Sequence, residues 1–311
     1  MRQPKNIILS VLVLALALFP VVWGDPYFLH LLILFFIYGT LVSNWNILFG
    51  YMGIFCFGQQ AFFGIGAYGS AIFAMRFGFP IPLAIVIGGL AAMVSSVLIG
   101  LPSLRLRGPY VALVTLAFSE VMRLVCSNWV DVTRGQLGLA VSPLFTGASR
   151  LGYYYATLLL LVLGTFFLVK LMRSSFGYVT AAIRESQEAA SSLGIDITKY
   201  KILAFMLSSF MSGVAGAFYA HYILILTPDI MGLHTMVSIL VMGMLGGLGT
   251  LHGPILGTFV LTFLSEYLRG FGQFRFIIYG GLIVLSVLFI PGGLVTAIRY
   301  FEVRMKKLSA R

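Results

Sequence analysis

Charged side chains are sparse in this chain, and their densest group runs from Arg173 to Lys201, RSSFGYVTAAIRESQEAASSLGIDITKYK. That stretch holds Arg173, Arg184, Glu185, Glu188, Asp196, Lys199 and Lys201, with apolar runs on both sides long enough to cross a bilayer. Val179 to Leu193 consists largely of good helix formers and is followed by Gly194, so it predicts a short helix stopped by a glycine just past its end. Val179, Ile183, Ala190 and Leu193 recur at helical spacing, while Arg184, Glu185, Gln187 and Glu188 fall mostly elsewhere on the wheel. Arg184 and Glu188 are four apart and can support each other along one face. A short charged helix between two membrane spans is what a membrane protein offers to a soluble partner. A plain solvated loop fits the composition equally.

Recognisable catalytic chemistry is missing. No phosphate loop of the form GxxxxGK[ST], no HExxH around any of the 4 histidines and no GxSxG elbow occurs. Gly64 to Gly69 matches GxGxxG, but it lies within an apolar run with no strand before it, which reads as close helix packing. The chain is therefore expected not to be an enzyme by itself. Cys56 and Cys126 both sit in apolar runs without metal-ligand spacing, so neither a metal site nor a disulfide is expected.

Ionisable groups inside spans are the usual markers of a transport path, because burying them in lipid is costly. Here they are few. Glu120 and Arg123 lie three apart on one span and can form a structural pair toward its outer end, while Glu266, Arg76, His221 and His234 fall near span ends. The scarcity counts against an ion-coupled secondary transporter. Uncharged Asn44, Asn46, Gln59, Gln60, Ser95, Ser96, Thr115, Ser208, Ser209 and Ser212 can line a pathway, or equally be satisfied between helices. A permease with a weak internal site remains, its energy and specificity arriving from outside.

The elements that must position these groups follow from composition. Of 311 residues 60% are hydrophobic and 9% charged, and the mean hydropathy is +1.02. That is an all-α polytopic membrane protein, one transmembrane domain over residues 1–311. The net charge of +11 lies at span ends and in short loops, the positive-inside pattern, which excludes a nucleic-acid partner. Apolar runs predict ten spans: Ile7–Trp23 (a retained span, since VVWGD lacks a cleavage site), Tyr27–Phe49, Gly53–Phe77, Ile81–Leu101, Tyr110–Val125, Gly152–Leu171, Ile202–Leu226, Leu233–Leu248, Gly253–Leu268 and Phe276–Ile290. The third is glycine-rich and open to a break near Gly58-Gln59-Gln60. Ten crossings put both termini in the cytoplasm with Arg105, Arg107, the 173–201 loop and the basic tail, Arg299 to Arg311. The two short spans after Leu233 can instead be one span plus a re-entrant piece, but that would place the tail outside.

Four blocks carry a family resemblance. The segment from Ala182 to Ala220 resembles the cytoplasmic loop and following span of the branched-chain amino-acid ABC permease family of LivM type, and contains Glu188-Ala189-Ala190 and then Gly194, like the EAA…G signature of importer permeases. GIFCFGQQAFFGIGAYG, LRGPYVALVTLAFSEVMR and GGLGTLHGPILGTF are similar to family blocks in the family order, from about Tyr51 to Arg269. The resemblance implies the ten-span type II ABC importer permease fold in a bacterial or archaeal plasma (inner) membrane. It also implies a second related permease, two cytoplasmic ATPase subunits and a periplasmic or lipid-anchored binding protein. ATP and Mg would be bound by the ATPases, leaving no cofactor in this chain. Arg184, Glu185, Glu188, Ala189, Ala190 and Gly194 would couple to the ATPase. Branched-chain or other hydrophobic amino acids are the implied solutes, with urea or short amides an alternative that the sequence does not separate. Two departures stand out. Arg134 replaces the first glycine of the family's Thr-Gly-Gly-x-x-Gly-Leu run and is a candidate binding-protein contact, or simply sits in water. Gln60 stands where a glycine usually follows the Gly-Gln pair.

Overall fold

The computed structural model of the protein describes residues 15–20, 24–103, 106, 108–145, 150–274, 277–282, 284 and 292–296. The first and last predicted spans lie largely outside the described residues, as do Arg105, Arg107 and the basic tail; helical backbone at 15–20 and 277–282 falls within them. The chain is mostly helical. Its main helices are α1 (Pro26–Asn46), α2 (Gln59–Arg76), α3 (Ile81–Ser103), α4 (Pro109–Asn128), α5 (Arg150–Met172), α6 (Ser175–Glu185), α7 (Gln187–Ser192), α8 (Ile197–Ile223), α9 (Leu233–Gly246) and α10 (Gly253–Tyr267). α1 with its π-helical continuation to Tyr51, and α3, α4, α5 and α8, are long and apolar enough to cross a membrane. These agree with five predicted spans to within a few residues. A two-residue antiparallel pair joins β1 (Leu139–Ala140) to β2 (Ile225–Leu226), in register Leu139↔Leu226.

α1 and α8 start where short polar side chains satisfy free N–H groups. Asp25 accepts from the Tyr27 N–H ahead of Pro26, and Asp196 accepts from the Lys199 N–H. α8 is the central helix, packed against α1, α2 and α3. Its small residues Ser212, Gly216 and Ala220 are buried, as their spacing predicts. Gly66 lies so close to the Gly213 backbone, and Gly216 to that of Phe63, that neither site has room for a Cβ.

The third predicted span breaks where its sequence allowed, at Gly58-Gln59. It is helical only from Gln59, because residues 53–58 run as irregular chain after Gly53 turns through φ +71°. Irregular backbone survives inside a bundle only if its polar groups find partners. Here the Ile54 N–H donates to the Leu48 carbonyl at 2.8 Å. The Trp45 indole donates to the Cys56 carbonyl at 2.7 Å, and the Phe57 N–H to Thr115 Oγ1 at 2.9 Å.

α9 and α10 form a hairpin against α1. At one end Asn46 donates to the Thr250 carbonyl (2.9 Å) and accepts from the Gly249 N–H (2.8 Å). At the other, Tyr27 donates to Glu266 at 2.8 Å. α10 thus lies beside α1 from one end to the other; α9 and α10, at 14 and 15 residues, are shorter than the helices long and apolar enough to cross a membrane.

Candidate functional site

The charged stretch is two helices, not one. Ser186 is extended (φ −156°, ψ 115°), and its side chain accepts from the Ala189 N–H to start α7. A serine within a run of helix formers is a cap in waiting, and here the cap wins over propensity. Ser174 caps α6 in the same way, accepting from the Phe176 N–H. Gly194, at φ +80°, ends α7 as predicted. The Ile195 N–H reaches the Ala190 carbonyl and the Gly194 N–H that of Ser191, the bonds of a Schellman stop.

The break changes what each side chain does. Arg184 and Glu188 no longer share one helix; the Arg184 guanidinium donates to the Gly50 carbonyl and lies beside Gly249. Lys201, itself buried, donates to Gln187 Oε1 at 3.0 Å. Phe176, Thr180, Ile183 and Ala190 face inward. Glu185, Glu188, Ala189 and Gly194 are exposed. Leu193, expected on the apolar face, is 79% exposed because it lies at the α7 stop, and Tyr178 is 75% exposed. The element therefore presents acid, alanine and isolated large apolar groups outward, while two cationic side chains tie it to the ends of α1 and α8.

The uncharged candidates are sealed. Asn44, Asn46, Gln59, Gln60, Thr115 and Ser208 are none of them more than 1% exposed. Gln59 Nε2 donates to Ser208 Oγ at 3.0 Å and also to Ser212 Oγ. Ser208 in turn donates to the Asn44 carbonyl at 2.8 Å. Asn44, Gln59 and Ser208 thus form one seam where α1, α2 and α8 meet. Asn46 lies apart, holding the hairpin loop, and Gln60 donates back to the Phe57 carbonyl at 3.1 Å. The side-chain oxygens of Asn44, Gln59 and Gln60 have no hydrogen-bond partner among the described residues.

The family model described as branched-chain amino acid transport system / permease component matches residues 27–290. The chain belongs to that family. It is 30% identical to the high-affinity branched-chain amino acid transport system permease protein LivM of Salmonella typhimurium over 85% of this chain and 68% of that one. The figures for LivM of Escherichia coli are the same. It is also 24% identical to LivH of Escherichia coli, over 58% of this chain and 63% of that one. One chain is thus similar to two permeases of one transport system. No solved structure matches.

His221 and the backbone of Arg134 escaped the sequence, while the pairing of Glu120 with Arg123 did not. His221, expected at an interface, is fully buried: Nδ1 faces the Ser142 carbonyl at 2.7 Å and so carries the proton, and Nε2 accepts from Ser70 at 2.9 Å. Its place at the end of α8 beside a loop hid this. Arg134 is exposed and stands in the left-handed region at φ 57°, between a single helical turn and Gly135. A glycine there would be free of strain, which rationalises the family pattern from which Arg134 departs. Finally, Arg123 grips both carboxylate oxygens of Glu120, with Nε at 3.1 and 3.0 Å. The pair, expected toward the outer end of its span, lies in the second half of α4, with Arg123 24% and Glu120 48% exposed.

Proposed function

We propose that this chain is the permease subunit of an ATP-driven importer for branched-chain or other hydrophobic amino acids. It spans a bacterial or archaeal inner membrane ten times in the type II importer fold, with both termini cytoplasmic. A second, related permease completes the transmembrane unit. Two ATPases bind ATP and Mg, and a periplasmic or lipid-anchored binding protein delivers the solute; this chain takes no cofactor.

The observation that carries the proposal is the α6–α7 element. It is charged, outward-facing and tied by Arg184 and Lys201 to the ends of two helices that also form the seam. In this role Glu185, Glu188, Ala189 and Gly194 seat the element in a groove of the ATPase, while Arg184, bonded to Gly50, and the buried Ala190, both first expected at that contact, hold it to the bundle. A movement of the ATPase pair is passed to α1 and α8 as a rigid-body shift. The polar side chains Asn44, Asn46, Gln59, Gln60, Thr115 and Ser208 belong to the closed path. Its opening exposes the unpartnered amide oxygens to solute and water. Arg134 meets the binding protein on the opposite side.

The test is labelled leucine uptake by cells expressing the chain with its transporter partners, under gradient collapse and under ATP depletion. Uptake that survives gradient collapse and stops without ATP is expected. Uptake that follows the proton or sodium gradient overturns the proposal. ATP-dependent uptake of urea or a short amide, with none of leucine, keeps the importer and replaces the solute.

A further inference from the structure

Arg184 leaves the α6–α7 element at a point where two other parts of the chain meet. α1 does not end on an ordinary turn. It widens into a π-helical turn over Ile47–Tyr51, and Gly53, at φ +71°, then leads the chain away. The last carbonyls of a helix lack partners within it, and its C-terminal end favours a cation. The Arg184 guanidinium answers both needs by donating to the Gly50 carbonyl. The same turn of α1 holds the loop between α9 and α10. Asn46 bonds the Gly249 N–H and the Thr250 carbonyl, and the Gly249 backbone lies too close for a Cβ at Gly50. Leu251 packs against the cluster that contains Ile47, Leu48 and Ile183. Gly249, at φ +74°, completes the junction, because a Cβ there would stand 2.9 Å from Arg184 Nη1. One guanidinium thus lies against the end of α1 and the turn of the hairpin at once.

We infer that the α9–α10 hairpin moves as one body with the α6–α7 element, and that Arg184 is the positioning residue that joins them. The inference rests on the importer reading above, in which movement enters at α6–α7 and passes to α1 and α8; it adds the hairpin as a further recipient. The two cations of the element divide that task. Lys201, bonded to Gln187, ties α7 to α8, and Arg184 ties α6 to α1 and the hairpin turn. The contacts at the junction leave little slack, since they are hydrogen bonds to backbone groups at glycines where no side chain can give way. Arginine suits the place, because its planar fork of donors lies flat between two backbones, where a lysine offers a single point charge. At the far end Tyr27 donates to Glu266 at 2.8 Å, so a shift received at the junction is carried by α1 and α10 together.

The test is a tie that can be made and undone. Arg184→Cys and Gly249→Cys are combined in the assembled importer, whose Cys56 and Cys126 are buried, and bridged with a short bifunctional methanethiosulfonate. Before bridging, the double variant is expected to take up leucine at least tenfold more slowly than wild type at equal ATPase turnover. Bridging is expected to recover most of the uptake, and reduction to abolish the recovery. Full uptake before bridging shows that the junction is not needed. Uptake that the bridge leaves low, or lowers further, shows that element and hairpin do not travel together. Either result overturns the inference. A cysteine at φ +74° can itself disturb the loop, so Arg184→Gln alone forms a second arm. It is expected to lower the leucine taken up per ATP hydrolysed at least tenfold with the amount of complex unchanged. An unchanged ratio, or loss of complex in place of a changed ratio, overturns the positioning role. These failures leave ATP-dependent uptake by the wild type intact, whereas the importer reading fails on ATP-independent uptake, so the two are told apart.

Discussion

The seam between α1, α2 and α8 and the α6–α7 element hold most of the polar side chains that matter in this permease, and they are held by opposite means. In the seam, uncharged amides and hydroxyls are packed where glycines let helices touch, and nothing is exposed. In α6–α7, charges face outward and the attachment rests on a few inward side chains and two cationic contacts. Close packing of this kind is intolerant of volume. An attachment made by caps and side-chain tips tolerates volume but depends on geometry. In the role proposed for this permease, the first construction is the fixed bundle and the second the lever.

The contrast can be broken from either side. The largest effect is expected from Gly213→Leu in the seam. With Gly66 and Ala92 against it, the added side chain should cost roughly 3 kcal/mol or more, read as loss of folded protein in detergent thermal unfolding. Tyr178→Ala, on the exposed side of α6, should leave the same unfolding curve within about 0.5 kcal/mol; a comparable loss would show that the two regions are not differently held.

Next comes the lever itself. Glu188→Arg combined with Gly194→Val reverses a charge and puts a β-branched residue at φ +80°. Uptake is expected to fall at least tenfold while the amount of inserted protein and the ATPase turnover of the complex persist. Normal uptake would remove the coupling assignment from α7.

Within the seam, Gln59→Leu removes the bonds to Ser208 and Ser212 together with an unpartnered oxygen. Interhelical bonds in membranes average about 0.6 kcal/mol, so stability should change by about 1 kcal/mol or less. A loss several times larger would mean the polar network, and not close packing, holds the helices. Gln60→Gly should alter the rate or range of solute uptake; if neither moves, Gln60 is packing alone.

The smallest effect is at Arg134. Glycine removes a left-handed backbone strain of roughly 1 kcal/mol but adds freedom to the unfolded chain, so Arg134→Gly should shift stability by a few tenths of a kcal/mol at most. Weaker stimulation by the binding protein at unchanged stability would mark Arg134 as a contact.

The membrane class, five long spans and the Gly194 stop were legible in the sequence, because apolar runs, charge placement and a glycine past a helix are local signals. The family blocks were legible too, since they are linear strings. The division of the charged stretch at Ser186 was not. A serine among helix formers can stay in the helix or leave it to cap the next one, and the pull of Arg184 toward Gly50, 134 residues away in sequence, is long-range. The same holds for Gln59, Asn44 and Ser208. Each was visible as a polar residue in an apolar run, but only the meeting of three helices distant in sequence decided that they share one sealed seam. Glu120 and Arg123 show the reverse. Their pairing is written in the spacing, whereas their outward direction depends on which side of α4 the rest of the bundle covers. Periodicity and composition fix what a segment can be; which face is buried is a property of its neighbours, and tertiary packing alone supplies them.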